Sequence, residues 1–269
     1  MWKSRRIAEM VRTIAVASGK GGVGKSSVSV NCAVLLAKLG FKVALLDADF
    51  GMANCHIMLD QKVDNSLQDV LENGTAIENI TYETASGVTL IPGGSGIIEL
   101  LNLDAAKRWQ IINSLEPIKS DVDFLIVDTP AGGSDASIEF AAACENLVIV
   151  LVGEPTSFMD AYSFIKAIYM EKNYARVSVL VNLSASENDA VRSFNSFKDI
   201  VTKFLDVELE YAGWLPNSTE MKNSILTRKP VVLQNKPNDK TLHKNFHDVV
   251  EHLKNLQPCS LTGVQFFGS

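Results

Sequence analysis

The arrangement of apolar and polar positions along the chain defines two kinds of segment. Short, continuous apolar runs are typical of strands buried in a parallel sheet, whereas longer segments carry apolar residues at helical spacing. The predicted strands span residues 13–17, 41–46, 88–92, 124–128, 147–152, 177–182 and 209–216. Helices are predicted at 26–39, 66–71, 104–115, from 156 or 157 onward, at 191–204 and at 240–256. This order predicts an α/β fold with a single doubly wound, mostly parallel sheet flanked by helices.

Two of the predicted helices carry side chains whose orientation matters. In the helix at 104–115, Trp109, Ile112 and Leu115 recur at helical spacing and are expected to face the core. In the helix at 240–256, His243 and His247 lie off the apolar stripe, four residues apart, which is a spacing that can bind a metal ion. No acidic residue of the metalloprotease kind stands between them, so a solvated helix face is the favoured interpretation.

The composition limits the class of protein. The chain has 269 residues, of which 46% are hydrophobic, so we expect one domain over 1–269, with an N-terminal extension at 1–11 and a C-terminal tail at 257–269. A net charge of −6 gives no overall electrostatic case for binding nucleic acid. No stretch approaches the ~20 apolar residues of a membrane span, and no long apolar run follows the basic residues at 1–6. We therefore expect a cytoplasmic protein.

The cysteines are widely spaced and include no C-x-x-C pair; they are Cys32, Cys55, Cys144 and Cys259. Zinc and iron–sulfur sites would need clustered ligands, which this spacing does not provide. Cys32 and Cys144 lie in apolar segments. The pattern favours reduced cysteines rather than disulfide bridges.

The segment from Gly19 to Ser26 fits the phosphate-binding pattern G-x-x-x-x-G-K-[ST]. It lies between the first predicted strand and the first predicted helix, where successive backbone N–H groups and a helix N-terminus can face one anion. Lys25 is expected to reach the β- and γ-phosphates, and Ser26 to ligate Mg²⁺. The other residues predicted to line the phosphates are Gly19, Gly21, Gly22, Val23 and Gly24. The general pattern does not require a second lysine, Lys20.

Acidic side chains follow two of the predicted strands. Asp47 and Asp49 come after the second strand, and Asp128 closes the strand at 124–128. An acid at the end of a continuous apolar strand is the Walker B arrangement, in which the carboxylate positions Mg²⁺, usually through a water. Open α/β sheets bind ligands at the carboxyl ends of their strands, so we predict a magnesium-dependent nucleotide site there. The glycine-rich loop at 93–96 lacks a following Lys-Ser or Lys-Thr, which favours a plain connector.

Asn182 closes the strand predicted at 177–182. Its amide carries a donor and an acceptor, which suits an adenine edge, but asparagine also closes turns. The residues alone favour the turn.

Three of these motifs together resemble the MinD/ParA family of deviant Walker ATPases. They are the second lysine of the loop, Lys20, the sequence Asp47-Ala48-Asp49, and the sequence 128–132, DTPAG. Finer features are similar to the FleN/FlhG branch, which sets flagellar number and placement in polar flagellated bacteria. Those features lie at 46–54, 91–96, 154–162 and 204–213. The resemblance covers nearly the whole chain.

The resemblance implies a site that two subunits share. Members of the family dimerise face to face around two ATP molecules, so it implies that Lys20 reaches the partner's phosphates, as an arginine finger does elsewhere. It implies that Asp49 positions or activates the attacking water. It also implies that Asp47 helps to order the magnesium shell, with Ser26 as a direct ligand and Asp128 acting through water. The implied cofactors are ATP or ADP and Mg²⁺.

Further residues match positions around the nucleotide. By resemblance, Ser27 contacts the α-phosphate, and Asn182 reads adenine, which reverses the preference for a turn. Pro216 and Asn217 match the backbone that brackets the base. Glu154 matches a position near the dimer seam.

The resemblance implies an ATP-dependent dimerisation switch with slow hydrolysis. The implied partners are a flagellar master transcription regulator or a flagellar placement GTPase, with reversible association of the ATP-bound dimer with the inner membrane or cell pole, and no direct binding of nucleic acid. One alternative is a MinD-like division-site or polar-positioning ATPase, which needs a basic amphipathic C-terminus. Another is a ParA-like DNA partition ATPase, which needs basic clusters on one face. The sequence shows neither feature clearly.

Both ends of the chain depart from the family pattern. Residues 1–12 do not match the DQAxxLR segment that stimulates a partner GTPase in many FlhG proteins, so the resemblance does not extend to GTPase activation. After the last predicted helix, Pro258 precedes a tail that has Phe266 and Phe267 but no basic face. Two alternatives stay open for this tail: it docks on the body and rearranges on dimerisation, or it simply packs on the core.

Overall fold

One eight-stranded sheet runs through the chain in a computed structural model that describes residues 11–50, 53–94, 103–234, 237–259 and 263–268. Its strands are β1 Arg12–Ala17, β2 Val43–Asp47, β3 Tyr82–Glu83, β4 Val88–Ile91, β5 Phe124–Asp128, β6 Asn146–Leu151, β7 Arg176–Ser184 and β8 Glu208–Pro216. Their order is β3-β4-β2-β5-β1-β6-β7-β8, and every neighbouring pair is parallel except β3 with β4. The predicted doubly wound, mostly parallel sheet is thus confirmed.

Helices cover both faces of this sheet. They are α1 Lys25–Lys38, α2 Cys55–Met58, α3 Leu67–Asn73, α4 Ala105–Ser114, α5 Asp135–Ala142, α6 Pro155–Lys172, α7 Glu187–Phe204, α8 Thr219–Leu226 and α9 Lys240–Asn255. Short 3₁₀ turns lie at Ile77–Asn79, Glu116–Asp121 and Val231–Leu233. One apolar cluster lies between the sheet and helices that include α4 to α7, and a second lies between the sheet and α1 with α9. Burial on both faces explains why the strands read as continuous apolar runs.

The predicted elements are all present, with ends shifted by a few residues. The structure adds α2, α5, α8 and the two-residue strand β3, which the hydrophobic pattern did not predict. The predicted N-terminal extension lies outside the described residues apart from Val11, and so do Ser95 and Gly96 of the glycine-rich loop. None of the helices that the structure describes is long and apolar enough to cross a lipid bilayer.

The orientation predicted for Trp109 is wrong. Its side chain is 56% exposed, whereas Ile112 and Leu115 are buried as expected. The buried stripe of α4 instead includes Arg108, whose guanidinium donates to the Glu139 carboxylate on α5 and to the Leu103 carbonyl. These hydrogen bonds satisfy the guanidinium charge, which allows Arg108 to be buried.

The end of the predicted tail packs on the body of the protein. Phe266 is 3% exposed, and its ring stacks at 6.5 Å on the ring of Phe140 in α5. The Phe266 backbone N–H donates to the Ala143 carbonyl, and Lys119 Nζ donates to the Phe267 carbonyl, each at 2.9 Å. The part of the tail around Phe266 and Phe267 is therefore docked on the body, which is compatible with both alternatives above.

Candidate active site

The phosphate-binding loop connects β1, in the centre of the sheet, to α1. Gly22 and Gly24 have φ values of 81° and 89°, a region that favours glycine. A Cβ atom at Gly19 would lie 2.2 Å from the carbonyl carbon of Asp160 on α6, so only a glycine lets the loop pass this helix. At Gly21 and Gly22 a Cβ would meet nothing within 4 Å, because these residues border an open cavity.

The N-terminus of α1 is fitted to receive an anion. Gly24, its N-cap, supplies no side-chain hydrogen bond, and the first turn contains no acidic residue. By contrast, Ser134 and Ser186 cap α5 and α7 with their side chains. The first N–H groups of a helix need acceptors, and phosphate oxygens supply them in loops of this kind. These residues therefore fit a bound nucleotide phosphate.

The strand register brings the predicted lysine and Walker B acid together. Asp128 is opposite Val16 of β1 and Asp47 of β2, and Lys25 Nζ lies 2.9 Å from Asp128 Oδ1. Ser29 Oγ donates to the same oxygen at 2.8 Å. Burial lowers the pKa of Lys25, but attraction to Asp128 and the hydrogen bond outweigh it, so the pKa of Lys25 is raised. Lys25 and Asp128 thus form a charged pair inside the protein.

Asp47 closes the loop that follows β2. Its Oδ2 accepts from the backbone N–H groups of Asn54 and Cys55, each at 2.9 Å, and its Oδ1 accepts from the N–H of Asp49 at 3.3 Å. Burial, and then the nearby Asp128 carboxylate, raise the pKa of Asp47 to about 7, against the backbone hydrogen bonds. The observed contacts of Asp47 thus hold the loop that carries Asp49. This role is additional to the predicted role of Asp47 in ordering the magnesium shell.

Cys55 adds a thiol that sequence reasoning had not placed in the site. Its Sγ lies 3.6 Å from Asp128 Oδ2, and the residue is fully buried. Potential ligand atoms of Asp47, Cys55 and Asp128 all lie within 4.8 Å of one another. In the described part of the chain, these residues form the group of side chains that could hold a metal ion. His243 and His247 belong to no such group there. The solvated-face interpretation is wrong for His243, whose side chain is only 14% exposed with Nε2 3.3 Å from Glu220 Oε1, whereas His247 is exposed. No spacing rule could have found Cys55, because α2 follows β2 through an irregular loop.

Lys20 lies at the rim of the site. Its Nζ is 3.0 Å from Glu154 Oε2 and 3.4 Å from Thr156 Oγ1 at the start of α6. The side chains of Lys20 and Glu154 are 34% and 63% exposed, so this ion pair is a weak surface contact, of about 0–1 kcal/mol. The two lysines of the loop are thus in different environments: Lys25 is buried beside Asp128, and Lys20 faces outward.

The remaining predicted residues border the loop on two sides. Ser26 and Asp49 are half-buried and Ser27 is buried at the carboxyl edge of the sheet. Asn182, at 7% exposure, donates from Nδ2 to the Val23 carbonyl at 2.8 Å, so it braces the phosphate-binding loop. It therefore does more than close a turn.

A cavity of about 860 Å³ opens beside the loop. Its walls come from the loop, the start of α6, the segment after β7, α7 and the end of β8; they include Lys20, Gly22, Glu154, Leu183, Arg192 and Asn217. The backbone N–H of Asn217 donates to the Ser184 carbonyl at 3.2 Å, which joins the ends of β7 and β8. The volume is within the range of ligand pockets. Lys25, Asp47 and Asp128 are buried and are not among its lining residues.

Comparison with known proteins identifies the family. The model of the ParA family, described as NUBPL iron-transfer P-loop NTPase, matches residues 9–254. The chain belongs to the ParA/MinD family of P-loop ATPases. It is thus an ATPase of a family that uses ATP with Mg²⁺. "Iron-transfer" describes the family model, and this chain has no C-x-x-C pair.

Two curated relatives of this ParA/MinD ATPase are flagellar proteins. The antiactivator FleN of Pseudomonas aeruginosa is 35% identical over 82% of this chain and 79% of FleN. The flagellum site-determining protein YlxH of Helicobacter pylori is 33% identical over 84% of this chain and 76% of YlxH. These matches agree with the predicted FleN/FlhG-like branch.

Solved structures of MinD share the fold. The cell division ATPase MinD of Pyrococcus furiosus has a TM-score of 0.77 at 25% identity, and the match covers 92% of this chain and all of that one. MinD of Pyrococcus horikoshii, solved with Mg-ADP, has a TM-score of 0.77 at 24% identity, covering 91% and 97% of the two chains.

Proposed function

We propose that this ATPase is an ATP-dependent dimerisation switch that controls flagellar number or placement. The observation that supports it is the division of labour between the two loop lysines. Lys25 is held inside the site by Asp128, where it is placed for the phosphates of its own chain. Lys20 is partly exposed at the rim beside Glu154, where it is free of any buried pairing and can turn toward a second subunit.

Each residue has a distinct task in this proposal. The loop N–H groups and Lys25 bind the phosphates, and Ser26, Ser27 and Asp128 supply oxygen atoms around them and the metal. Bound Mg²⁺ supplies charge neutralisation at the phosphates. Asp49 positions or activates the attacking water, from the start of the loop that Asp47 holds.

The second subunit completes this site. Lys20 of the second subunit adds a positive charge, which neutralises the negative charge that develops during phosphoryl transfer. A single chain would therefore bind nucleotide but turn it over slowly.

Relatives in flagellar control support the biological assignment. FleN and YlxH are 35% and 33% identical to the chain, whereas the MinD of Synechocystis is 30% identical. We propose that the ATP-bound dimer binds a flagellar transcription regulator or a flagellar placement GTPase, with hydrolysis releasing it. Membrane or polar association would belong to the same dimer. A septum inhibitor as the partner would instead indicate MinD-like positioning.

The first test separates dimerisation from hydrolysis. With ATP and Mg²⁺, Asp49→Ala should be a dimer with almost no turnover, because the loss of the water-positioning acid leaves binding intact. Lys20→Ala should lose both the dimer and turnover. Lys244→Ala is the control, since this lysine pairs with Asp248 on the exposed face of α9. Light scattering measures mass, and phosphate release measures turnover; a wild-type monomer at saturating ATP would contradict the switch.

The second test identifies the partner. The Asp49→Ala dimer, trapped with ATP, is used to capture proteins from cells that make flagella. Recovery of a flagellar transcription activator or placement GTPase is the expected result, and its loss from Lys20→Ala is the control. Recovery of a septum inhibitor alone, or of DNA alone, would contradict the flagellar assignment.

A further inference from the structure

The buried cluster at the ends of β2 and β5 contains a soft metal ligand beside two hard ones. Cys55 Sγ lies 3.6 Å from Asp128 Oδ2, and the Cys55 backbone N–H donates to Asp47 Oδ2 at 2.9 Å. All three side chains are almost completely buried. We propose that Asp47, Cys55 and Asp128 form a binding site for a thiophilic divalent cation of the Zn²⁺ or Cd²⁺ class, at a place where the ATPase family uses Mg²⁺.

The spacing fits a tetrahedral ion. Zinc binds thiolate at about 2.3 Å and carboxylate oxygen at about 2.1 Å, which puts sulfur and oxygen about 3.6 Å apart on a tetrahedral edge. The observed distance from Cys55 Sγ to Asp128 Oδ2 is also 3.6 Å. The other separations are all within 4.8 Å, so reaching such an edge needs a contraction of at most roughly 1 Å. Cys55 Sγ and Asp128 Oδ2 are therefore already separated by the distance expected for two ligands of one tetrahedral zinc ion.

The hydrogen bonds to Asp128 leave one of its carboxylate oxygens facing the Cys55 thiol. Lys25 and Ser29 both donate to Asp128 Oδ1, so Oδ2 is the oxygen that faces Cys55. The fourth position of the ion would be filled by water, as in other zinc sites with three protein ligands. Neither the lysine pair nor the serine contact has to break for the ion to bind.

The charges also balance. With Cys55 as a thiolate, the three ligands carry −3, Lys25 carries +1, and a divalent ion adds +2. On binding, the thiol loses its proton to solvent and the sulfur forms a bond to the ion. Any proton on the Asp47 carboxyl group is released as well, and no electrons move. A buried cluster of zero net charge avoids the large cost of an unpaired buried charge.

Ligand softness separates this site from magnesium. Mg²⁺ prefers oxygen ligands and keeps its waters, whereas thiolates select ions such as Zn²⁺. A thiophilic ion on Asp128 Oδ2 would withdraw that carboxylate from magnesium, so it should inhibit ATP turnover. The inhibition rests on the proposed magnesium role of Asp128, but the binding of the ion does not.

The test is a titration of the reduced, full-length protein with Cd²⁺ in the absence of nucleotide. The ultraviolet sulfur-to-cadmium charge-transfer band should rise to one equivalent per chain. Cys55→Ser keeps a side chain of similar shape but removes the sulfur, so this variant should lose the band. Cys32→Ser and Cys259→Ser are the controls and should keep the band, since neither cysteine belongs to the cluster: Cys32 is buried on α1, and Cys259 is partly exposed on the tail. A band that persists in Cys55→Ser, or disappears in Cys259→Ser, would overturn the proposal.

A second variant tests the carboxylate ligands. Asp47→Asn should weaken Cd²⁺ binding at least about tenfold, since even outer partners of metal ligands are worth that much. Unchanged affinity would mean that the thiol binds alone, which contradicts a three-ligand site. Excess Mg²⁺ should leave the cadmium band in place, and its disappearance would count against a thiophilic site.

A measurement on the unaltered chain covers the case in which a variant does not fold. X-ray absorption at the zinc edge, with one equivalent of Zn²⁺, should show one sulfur at about 2.3 Å among oxygen neighbours. An all-oxygen shell would overturn the site. None of these measurements needs ATP, so failure of the dimerisation switch and failure of the metal site can be told apart. Zn²⁺ inhibition of turnover at fixed Mg²⁺, reduced in Cys55→Ser, then tests the functional consequence.

Discussion

At the scale of single residues, the candidate site depends on side chains that hold the backbone of the loops. Asn182 donates to the Val23 carbonyl, and Asp47 accepts from the N–H groups after β2. Asn182 is on β7 and Asp47 ends β2, so these contacts join the phosphate-binding loop and the Asp49 loop to strands of the rigid sheet. Groups that must meet a nucleotide are held in place before it binds, which reduces the ordering cost of binding.

We expect Asn182→Ala to weaken nucleotide binding. The variant loses the hydrogen bond to Val23, worth about 1 kcal/mol, so the dissociation constants of both ADP and GDP should rise roughly fivefold. Fluorescent-nucleotide titration measures both constants. Asn113→Ala is the control, since Asn113 is exposed on α4 and bonds its own helix.

The ratio of the two constants separates the roles of Asn182. If Asn182 also reads adenine, as the family resemblance implies, ADP should lose more affinity than GDP. If neither constant changes, the contact with Val23 does not hold the loop in its binding form.

At the scale of elements, the docked tail is a short segment that carries a large apolar side chain into the core. Phe266→Ala should destabilise the protein by about 3–5 kcal/mol, because it empties a position that is 3% exposed against Phe140. Urea unfolding measures the change. Phe267→Ala is the matched control, because Phe267 is only partly buried and should cost less.

A small effect of Phe266→Ala would mean that the tail contributes little to the folded state. That result would favour the alternative in which the tail leaves the body readily on dimerisation. A large effect, with unchanged turnover, would favour simple packing on the core.

The elements also show what the sequence could predict. Long apolar strands buried on both faces, and helices with a wide apolar stripe, were recognised because burial imposes their pattern. The helix α2 has four residues and the strand β3 has two, too few for a periodicity. At α4 the predicted burial of Ile112 and Leu115 was correct, but Trp109 is exposed and Arg108 is buried. The bonds from Arg108 to Glu139 and Leu103 depend on contacts that no local pattern contains.

The same limit applies to the candidate site. Lys25 and Asp128 were predicted to share a site because each follows a strand at the same sheet edge, and they lie 2.9 Å apart. The contact of Cys55 with Asp128, and the pairing of Lys20 with Glu154, join residues 73 and 134 positions apart. No sequence motif links either of these pairs, as one links Lys25 and Asp128, so these contacts become visible only in three dimensions.

At the scale of the whole molecule, the position of the site links nucleotide binding to global stability. β1 and β5 carry the phosphate loop and Asp128, and they lie in the middle of the eight strands. A ligand bound there contacts the centre of the sheet, with β3, β4 and β2 on one side and β6, β7 and β8 on the other. If residues 1–269 form one domain, as we propose, both sides should respond to the ligand together.

We expect Mg-ADP at about 100 times its dissociation constant to raise the free energy of unfolding by about 2.7 kcal/mol on both sides of the sheet. Trp109 on α4 and Trp214 on β8 report the two sides, so Trp214→Phe and Trp109→Phe leave one reporter each among the described tryptophans. Urea unfolding followed by fluorescence should give coincident transitions that shift equally, because a single cooperative unit unfolds all at once. Lys25→Ala should remove the shift by removing a phosphate ligand. A transition at Trp214 that does not move with Mg-ADP would divide the chain into two units and contradict the single domain.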